Sequence, residues 1–136
     1  MVEETVSINA PPAFLRGRHI LVVQDEPLVS MMIEDALVEA GGNVIGPAGT
    51  AEEALELLDR TDIHCAVLDI KLMNGSSQSV AEGLARRGIR FMVVTGIDES
   101  QVPPEYKGAP VVQKVFAAHE LVDAVGDVLA KPMPRP

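Results

Sequence analysis

Two aspartates, a threonine and a lysine each stand where an apolar run of this chain stops. Cys65-Ala66-Val67-Leu68 runs into Asp69, and His19-Ile20-Leu21-Val22-Val23 runs into Gln24-Asp25-Glu26. Phe91-Met92-Val93-Val94 ends at Thr95-Gly96, and Val111-Val112-Gln113 ends at Lys114. Two carboxylates at neighbouring strand ends make a hard-oxygen site suited to Mg2+, which keeps several waters and takes one or two carboxylates. A carboxylate can also attack phosphorus and become an acyl phosphate. Phosphoryl transfer needs alignment and positive charge around the phosphoryl oxygens more than it needs a strong base. Mg2+, the Lys114 ammonium and the Thr95 hydroxyl would meet that need. The plainer alternative is that the four residues only end strands and cap helices; their shared position, rather than any one of them, argues for chemistry.

The elements that must position them follow from hydrophobic periodicity. Short apolar runs rich in branched residues read as strands buried on both faces, as in a parallel sheet. Between them, Pro27 opens a helix over 27–40 whose inward face is Val29, Met32, Ile33, Ala36, Leu37 and Ala40, with Ser30, Glu34, Asp35 and Glu39 facing water. Met31 and Met32 are expected to pack, and Gly41-Gly42 ends the helix. Asn43-Val44-Ile45-Gly46 is a short strand, and Thr50 with Glu53 has the spacing of a capping box ahead of Ala51, Ala54, Leu55 and Leu58. Met73 to Ser77 has turn chemistry, and Ala81, Leu84, Ala85 and Gly88 form the next helical face, with Arg86-Arg87 solvated near its end. Pro103-Pro104 lie in the connection from Gly96 to Pro110, so any helix there is short or displaced. A last helix over 117–130 buries Leu121, Ala124, Val125, Val128 and Leu129. Regular alternation predicts an α/β fold, a three-layer, doubly wound (βα)5 arrangement with a parallel five-stranded sheet of order 2-1-3-4-5. That order puts Asp25 and Asp69 side by side at the switch point, the edge where such folds bind ligands.

The totals bound the rest. At 136 residues the chain is expected to hold one domain, 18–130, after an extended or disordered lead-in, 1–17, and before a Pro-rich tail, 131–136. Phe14 and Leu15 are the lead-in residues placed to pack on the domain. Hydrophobic residues are 47% of the chain and aromatics 3%, with no Trp, so aliphatic side chains must build the core. A formal charge of -9 works against contact with nucleic acid or an anionic membrane surface. The lone Cys65 excludes an internal disulfide and reads as a small core residue. With Glu3 and Glu4 where a signal peptide needs positive charge, and no stretch long enough to span a bilayer, a cytoplasmic location is expected. His19, His64 and His119 are scattered and show no metal-ligand spacing.

Over residues 18–130 the sequence resembles the receiver domains of bacterial two-component response regulators. The resemblance rests on Leu21-Val22-Val23-Gln24-Asp25-Glu26, Val67-Leu68-Asp69, Val94-Thr95-Gly96 and Gln113-Lys114-Val115-Phe116. It implies a flavodoxin-like fold in which Asp69 accepts phosphate from a histidine kinase or histidine phosphotransfer protein. It further implies that Asp25, the Asp69 side chain and the Lys71 backbone carbonyl bind Mg2+, that Thr95 turns toward the phosphoryl group and that Lys114 holds another of its oxygens. The Thr95-Gly96-Ile97 turn also resembles a stand-alone subfamily marked by Phe-Ala-Thr-Gly-hydrophobic-Tyr, with Val93, Val94 and Asp98 in place of the Phe, Ala and Tyr.

Three departures carry expectations of their own. Gln24 replaces an acid of the metal pair, so Mg2+ binding should be weaker; Glu26 could compensate if its side chain faced the pocket. Val111 stands in the place of the usual switch aromatic. Val115 replaces the proline that follows the lysine through a cis bond, so a trans bond is expected, with Lys114 placed differently. Lys71 adds an ammonium that reads most simply as solvent-exposed. The leading expectation is a stand-alone, phosphorylatable receiver, not an enzyme on external substrates, whose output is binding an unidentified protein or shuttling phosphate. The alternatives are a phosphorylation-independent pseudo-receiver that binds proteins, and a small Mg2+-dependent phosphatase. The phosphatase would lack the second acid two residues after its nucleophile, where Lys71 stands. Oligomeric state is left open.

Overall fold

The computed structural model describes residues 15–72, 75–96, 101–106 and 108–130. Strand β1 (His19–Val23) leads into helix α1 (Pro27–Glu39), then β2 (Asn43–Ala48), α2 (Ala51–Arg60) and β3 (Cys65–Asp69). A two-residue pair, β4 (Lys71–Leu72) and β5 (Gly75–Ser76), precedes α3 (Gln78–Arg86). Strand β6 (Arg90–Thr95), a 3-10 turn (Pro104–Tyr106), β7 (Val111–Gln113) and α4 (Ala118–Ala130) complete the described chain. Five strands form a parallel sheet in the order β2-β1-β3-β6-β7. With the antiparallel β4-β5 pair set aside, this is the expected 2-1-3-4-5 order.

The sheet separates two apolar cores, which is why its central strands carry uninterrupted apolar runs. Ile20, Val22, Cys65, Val67, Met92 and Val94 face one core with residues of α1 and α4. Leu21, Val23, Ala66, Leu68 and Val93 face the other with residues of α2, α3 and the 3-10 turn. Leu15 is buried in the first core, and its N–H donates to the Ala40 carbonyl at 3.3 Å, so packing reaches back into the segment read as a lead-in. Phe14, Met73, Asn74, Ile97, Asp98 and the 131–136 tail lie outside the described residues.

Helix α2 starts as its capping box predicts. Thr50 Oγ1 accepts from the Glu53 N–H at 3.1 Å, and Glu53 Oε1 accepts from the Gly49 N–H at 2.9 Å. Helix α1 buries Ile33, Ala36, Leu37 and Ala40 on its expected face, with Val29 packed at the edge of the core, but departs from it at two positions. Ser30 is buried, whereas Met31 and Met32 are 55% and 45% exposed and do not pack as expected. The physical reason is that Ser30 satisfies its hydroxyl within the helix, donating to the Pro27 carbonyl at 3.0 Å, so it can be buried cheaply. In α3 the buried face is Val80, Ala81, Gly83 and Leu84, not Ala85 or Gly88. At Gly83 a Cβ would lie 3.3 Å from Leu55 Cδ2, so the glycine lets α3 approach α2 closely. In the connection between β6 and β7 the described residues hold 3-10 structure and no α-helix, as Pro103-Pro104 dictate.

Candidate functional site

Register brings the four strand-end groups to one edge. Val23 pairs with Leu68, so the chain beyond β1, Gln24-Asp25-Glu26, leaves the sheet beside Asp69. Asp69 pairs with Val94, which places Thr95 one residue further along the next strand. Thr95 pairs with Gln113, and the Lys114 N–H donates to the Thr95 carbonyl at 2.9 Å. Asp69 and Thr95 are 5% and 3% exposed, and Asp25 is half-buried. Lys71, two residues past Asp69 at the start of β4, is exposed as expected.

Lys114 ties the edge together. Its ammonium donates to Asp69 Oδ2 at 2.8 Å and also to Glu26 Oε1. Burial pulls the ammonium down, but the hydrogen bonds and charges of Asp69 and Glu26 more than offset it, so its pKa stands above the ordinary lysine value. The Lys114–Val115 bond is cis, contrary to the expectation of a trans bond. The lysine is held from both ends, by the Thr95 carbonyl at its N–H and by two carboxylates at its ammonium. That tertiary anchoring outweighs the preference of an isolated peptide.

Glu26 faces the pocket because Gln24 bends the chain. Gln24 Oε1 accepts from the Glu26 N–H at 3.0 Å, and its own N–H donates to the Ala48 carbonyl at 2.9 Å. Glu26 occupies the N-cap position of α1 without capping it and sends its carboxylate to Lys114 instead. Gln24 is 2% exposed and its Nε2 has no hydrogen-bond partner among the described residues. Two acids, Glu26 and Asp69, therefore meet at Lys114, and Asp25 stands half-buried between Gln24 and Glu26 at the same sheet edge. This donor chemistry fits a divalent cation held by two carboxylates, a backbone carbonyl and waters. No group of three or more His, Cys, Asp or Glu side chains that could hold a metal occurs among the described residues, so an all-side-chain cage is not the arrangement here.

One buried group escaped the reading of the sequence. Tyr106, the chain's single tyrosine, is 2% exposed; its hydroxyl meets Ser77 Oγ at 2.9 Å and its ring stands edge-on to Phe91. Burial raises its pKa first, with the Ser77 hydrogen bond opposing and the Asp69 charge a smaller contribution in the same direction as burial. An aromatic hydroxyl thus lies within electrostatic reach of Asp69, supplied by the 3-10 turn and not by Val111, which sits half-buried in β7. The signal was a lone aromatic in a proline-punctuated segment without periodicity. His19 and His64 are also closer than their separation implied. The His19 N–H donates to His64 Nδ1 at 2.8 Å, and His19 Nδ1 lies 2.9 Å from the Asp62 carbonyl. Both lie at the opposite end of the sheet from Asp69. Cys65, fully buried, has its thiol pushed up to about 12 by desolvation, as befits a core residue.

No protein-family model matches the chain. Among curated proteins, the transcriptional regulatory protein PdtaR of Mycobacterium tuberculosis is 25% identical over 112 residues. That match covers 79% of this chain and 55% of PdtaR, so the chain spans about half the length of this relative. Among solved structures, SdrG from Sphingomonas melonis Fr1 superposes with a TM-score of 0.74 at 36% identity, covering 82% of this chain and 96% of SdrG. The response regulator TrrA from Thermotoga maritima, solved in complex with Mg2+ and a beryllofluoride, has a TM-score of 0.73 at 26% identity, covering 82% of this chain and 99% of TrrA. Sequence identity of 36% across nearly the whole of SdrG, together with likeness to TrrA and to a CheY-like receiver domain protein of Methanospirillum hungatei, establishes that the chain belongs to the CheY-like receiver-domain family of response regulators.

Proposed function

We propose that this receiver is phosphorylated on Asp69 and works in phosphorelay signalling. The observation that carries the reading is the 2.8 Å bond from the Lys114 ammonium to a 5%-exposed Asp69 carboxylate at the edge where Asp25, Thr95 and Glu26 converge. In the reaction an Asp69 oxygen forms a bond to phosphorus as the P–N bond of a phosphohistidine breaks, and the leaving imidazole keeps the electron pair. Asp69 serves as the nucleophile, and the Lys114 ammonium, already on one of its oxygens, is in place to neutralise the charge on the incoming phosphoryl group. Thr95, at the end of the adjacent strand, is the hydroxyl that would take another phosphoryl oxygen. Asp25, Asp69 and the Lys71 carbonyl would hold Mg2+, which supplies further positive charge when bound. TrrA, with its Mg2+ and beryllofluoride, supports that assignment by likeness.

The donor is a histidine kinase or histidine phosphotransfer protein. The first turn of α1 and the β7–α4 turn, which follow the edge residues Glu26 and Lys114, expose Leu28 and Val115 at 75% and 94%, apolar surface that such a partner could use. Output by protein binding or by passing the phosphate on fits a chain in which no described helix could cross a membrane and whose net charge disfavours nucleic acid. We place it in the cytoplasm, as a regulator and not as an enzyme on external substrates. The second reading, a pseudo-receiver, is favoured by Gln24, whose Oε1 is committed to Glu26 and which carries no charge for a metal. Transfer of radiolabelled phosphate from a panel of autophosphorylated histidine kinases decides between them. Label on the wild type and none on Asp69→Asn supports the receiver; partner binding with no label from any donor supports the pseudo-receiver.

A further inference from the structure

Lys114 shares its protons between two carboxylates that differ in surroundings. The Asp69 side chain is 6% exposed and Glu26 is 56% exposed, so the lysine bridges a buried acid and a wet one. Glu26 is no accidental neighbour. The Gln24 amide oxygen pins the Glu26 N–H, and the carboxylate leaves the helix end it could have capped. Gln24, neutral and with its Nε2 unpartnered among the described residues, offers the lysine no countercharge; the acid two residues on does.

We propose that Glu26 is a positioning residue that restrains Lys114 and sets how readily Asp69 takes a phosphoryl group. The proposal rests on Asp69 being the acceptor. Charge added at Asp69 calls on the same ammonium that Glu26 holds, and the Glu26 carboxylate also repels the incoming anion. For a divalent cation the sign reverses, because the same carboxylate adds attraction at the edge. A single group thus opposes the anion and favours the cation. A merely structural role would move both affinities the same way.

The test is Glu26→Gln, which keeps shape and removes charge, at a site exposed enough for the chain to fold. Beryllium trifluoride, a phosphoryl mimic, is titrated at saturating Mg2+ and followed by fluorine NMR, and Mg2+ is titrated alone by amide NMR. The variant is expected to bind the beryllofluoride about three- to tenfold more tightly and Mg2+ about two- to fivefold more weakly, the scale of one partly screened ion pair. Both changes should shrink at high salt, and Glu26→Asp, which keeps the charge, should return Mg2+ affinity toward the wild type. Binding by the variant where the wild type shows none would support the proposal in its strongest form. A wild type that binds the mimic and a variant that binds it equally or less tightly would overturn it while leaving Asp69 as acceptor. Neither protein binding it, with no label accepted from any kinase, would overturn both.

Discussion

At Lys114 two carboxylates compete for one ammonium, and the outcome can be read in the pH dependence of stability. A lysine whose pKa is higher in the folded chain than in the unfolded one contributes its stability in full below the unfolded value and loses it as the pH rises through the folded one. The ordinary value is 10.5, and in this fold Asp69 and Glu26 raise it. The difference in unfolding free energy between wild type and Lys114→Gln should therefore be flat from neutral pH to about 10.5 and shrink beyond it, as urea titrations at stepped pH would show. A difference that grows above that pH would mean that the lysine is not held by these acids. The types of the site residues were visible in the sequence because each interrupts an apolar run. The direction of Glu26 was not, since it depends on a bend fixed by the hydrogen bond from its own N–H to the Gln24 side-chain oxygen. The conformation of the Lys114–Val115 bond likewise depends on contacts made by residues remote in sequence.

Elements differ in how far local signals determine them. Helix α2 is specified locally, and Thr50→Ala removes the acceptor of the Glu53 N–H. Its cost should be about 1 kcal/mol in chemical denaturation, with little loss of helix in circular dichroism. Helix α1 is specified locally in extent and in most of its face, with Ile33, Ala36 and Leu37 inward, but not at Ser30 and Met32. Its docking on β1 and beside α4 settles those two positions, and the internal bond of Ser30 lets a polar residue face inward while Met31 and Met32 face out. The 3-10 turn carries no periodic signal, yet it delivers Tyr106 to the top of α3. Tyr106→Phe leaves the fully buried Ser77 hydroxyl without that partner and should cost about 1–3 kcal/mol. A cost near zero would show that the Tyr106–Ser77 contact does not order this turn.

For the molecule as a whole, two cores on either side of one parallel sheet explain why so little aromatic content suffices: branched aliphatic strands are buried on both faces. This architecture was visible from four apolar runs and the helical faces between them. The reach of the first core was visible only in part: Leu15 is placed to pack on the domain, but it follows two prolines outside any periodic stretch, so the extent of its burial carried no signal. It is nonetheless fully buried, so Leu15→Ala should cost about 2–5 kcal/mol. A chain that tolerates this change at no cost would place the start of the packed domain later. The role proposed for the molecule depends on Asp69 acting as acceptor, with Lys114 and its neighbours arranged around it. The most direct measurement is the intact mass of wild type and Asp69→Asn after incubation with acetyl phosphate, with and without Mg2+. A gain of one phosphoryl group, stable in acid and labile in base, is expected on the wild type with Mg2+ and on neither the variant nor the Mg2+-free sample. An equal gain on Asp69→Asn would contradict that role by placing the acceptor elsewhere.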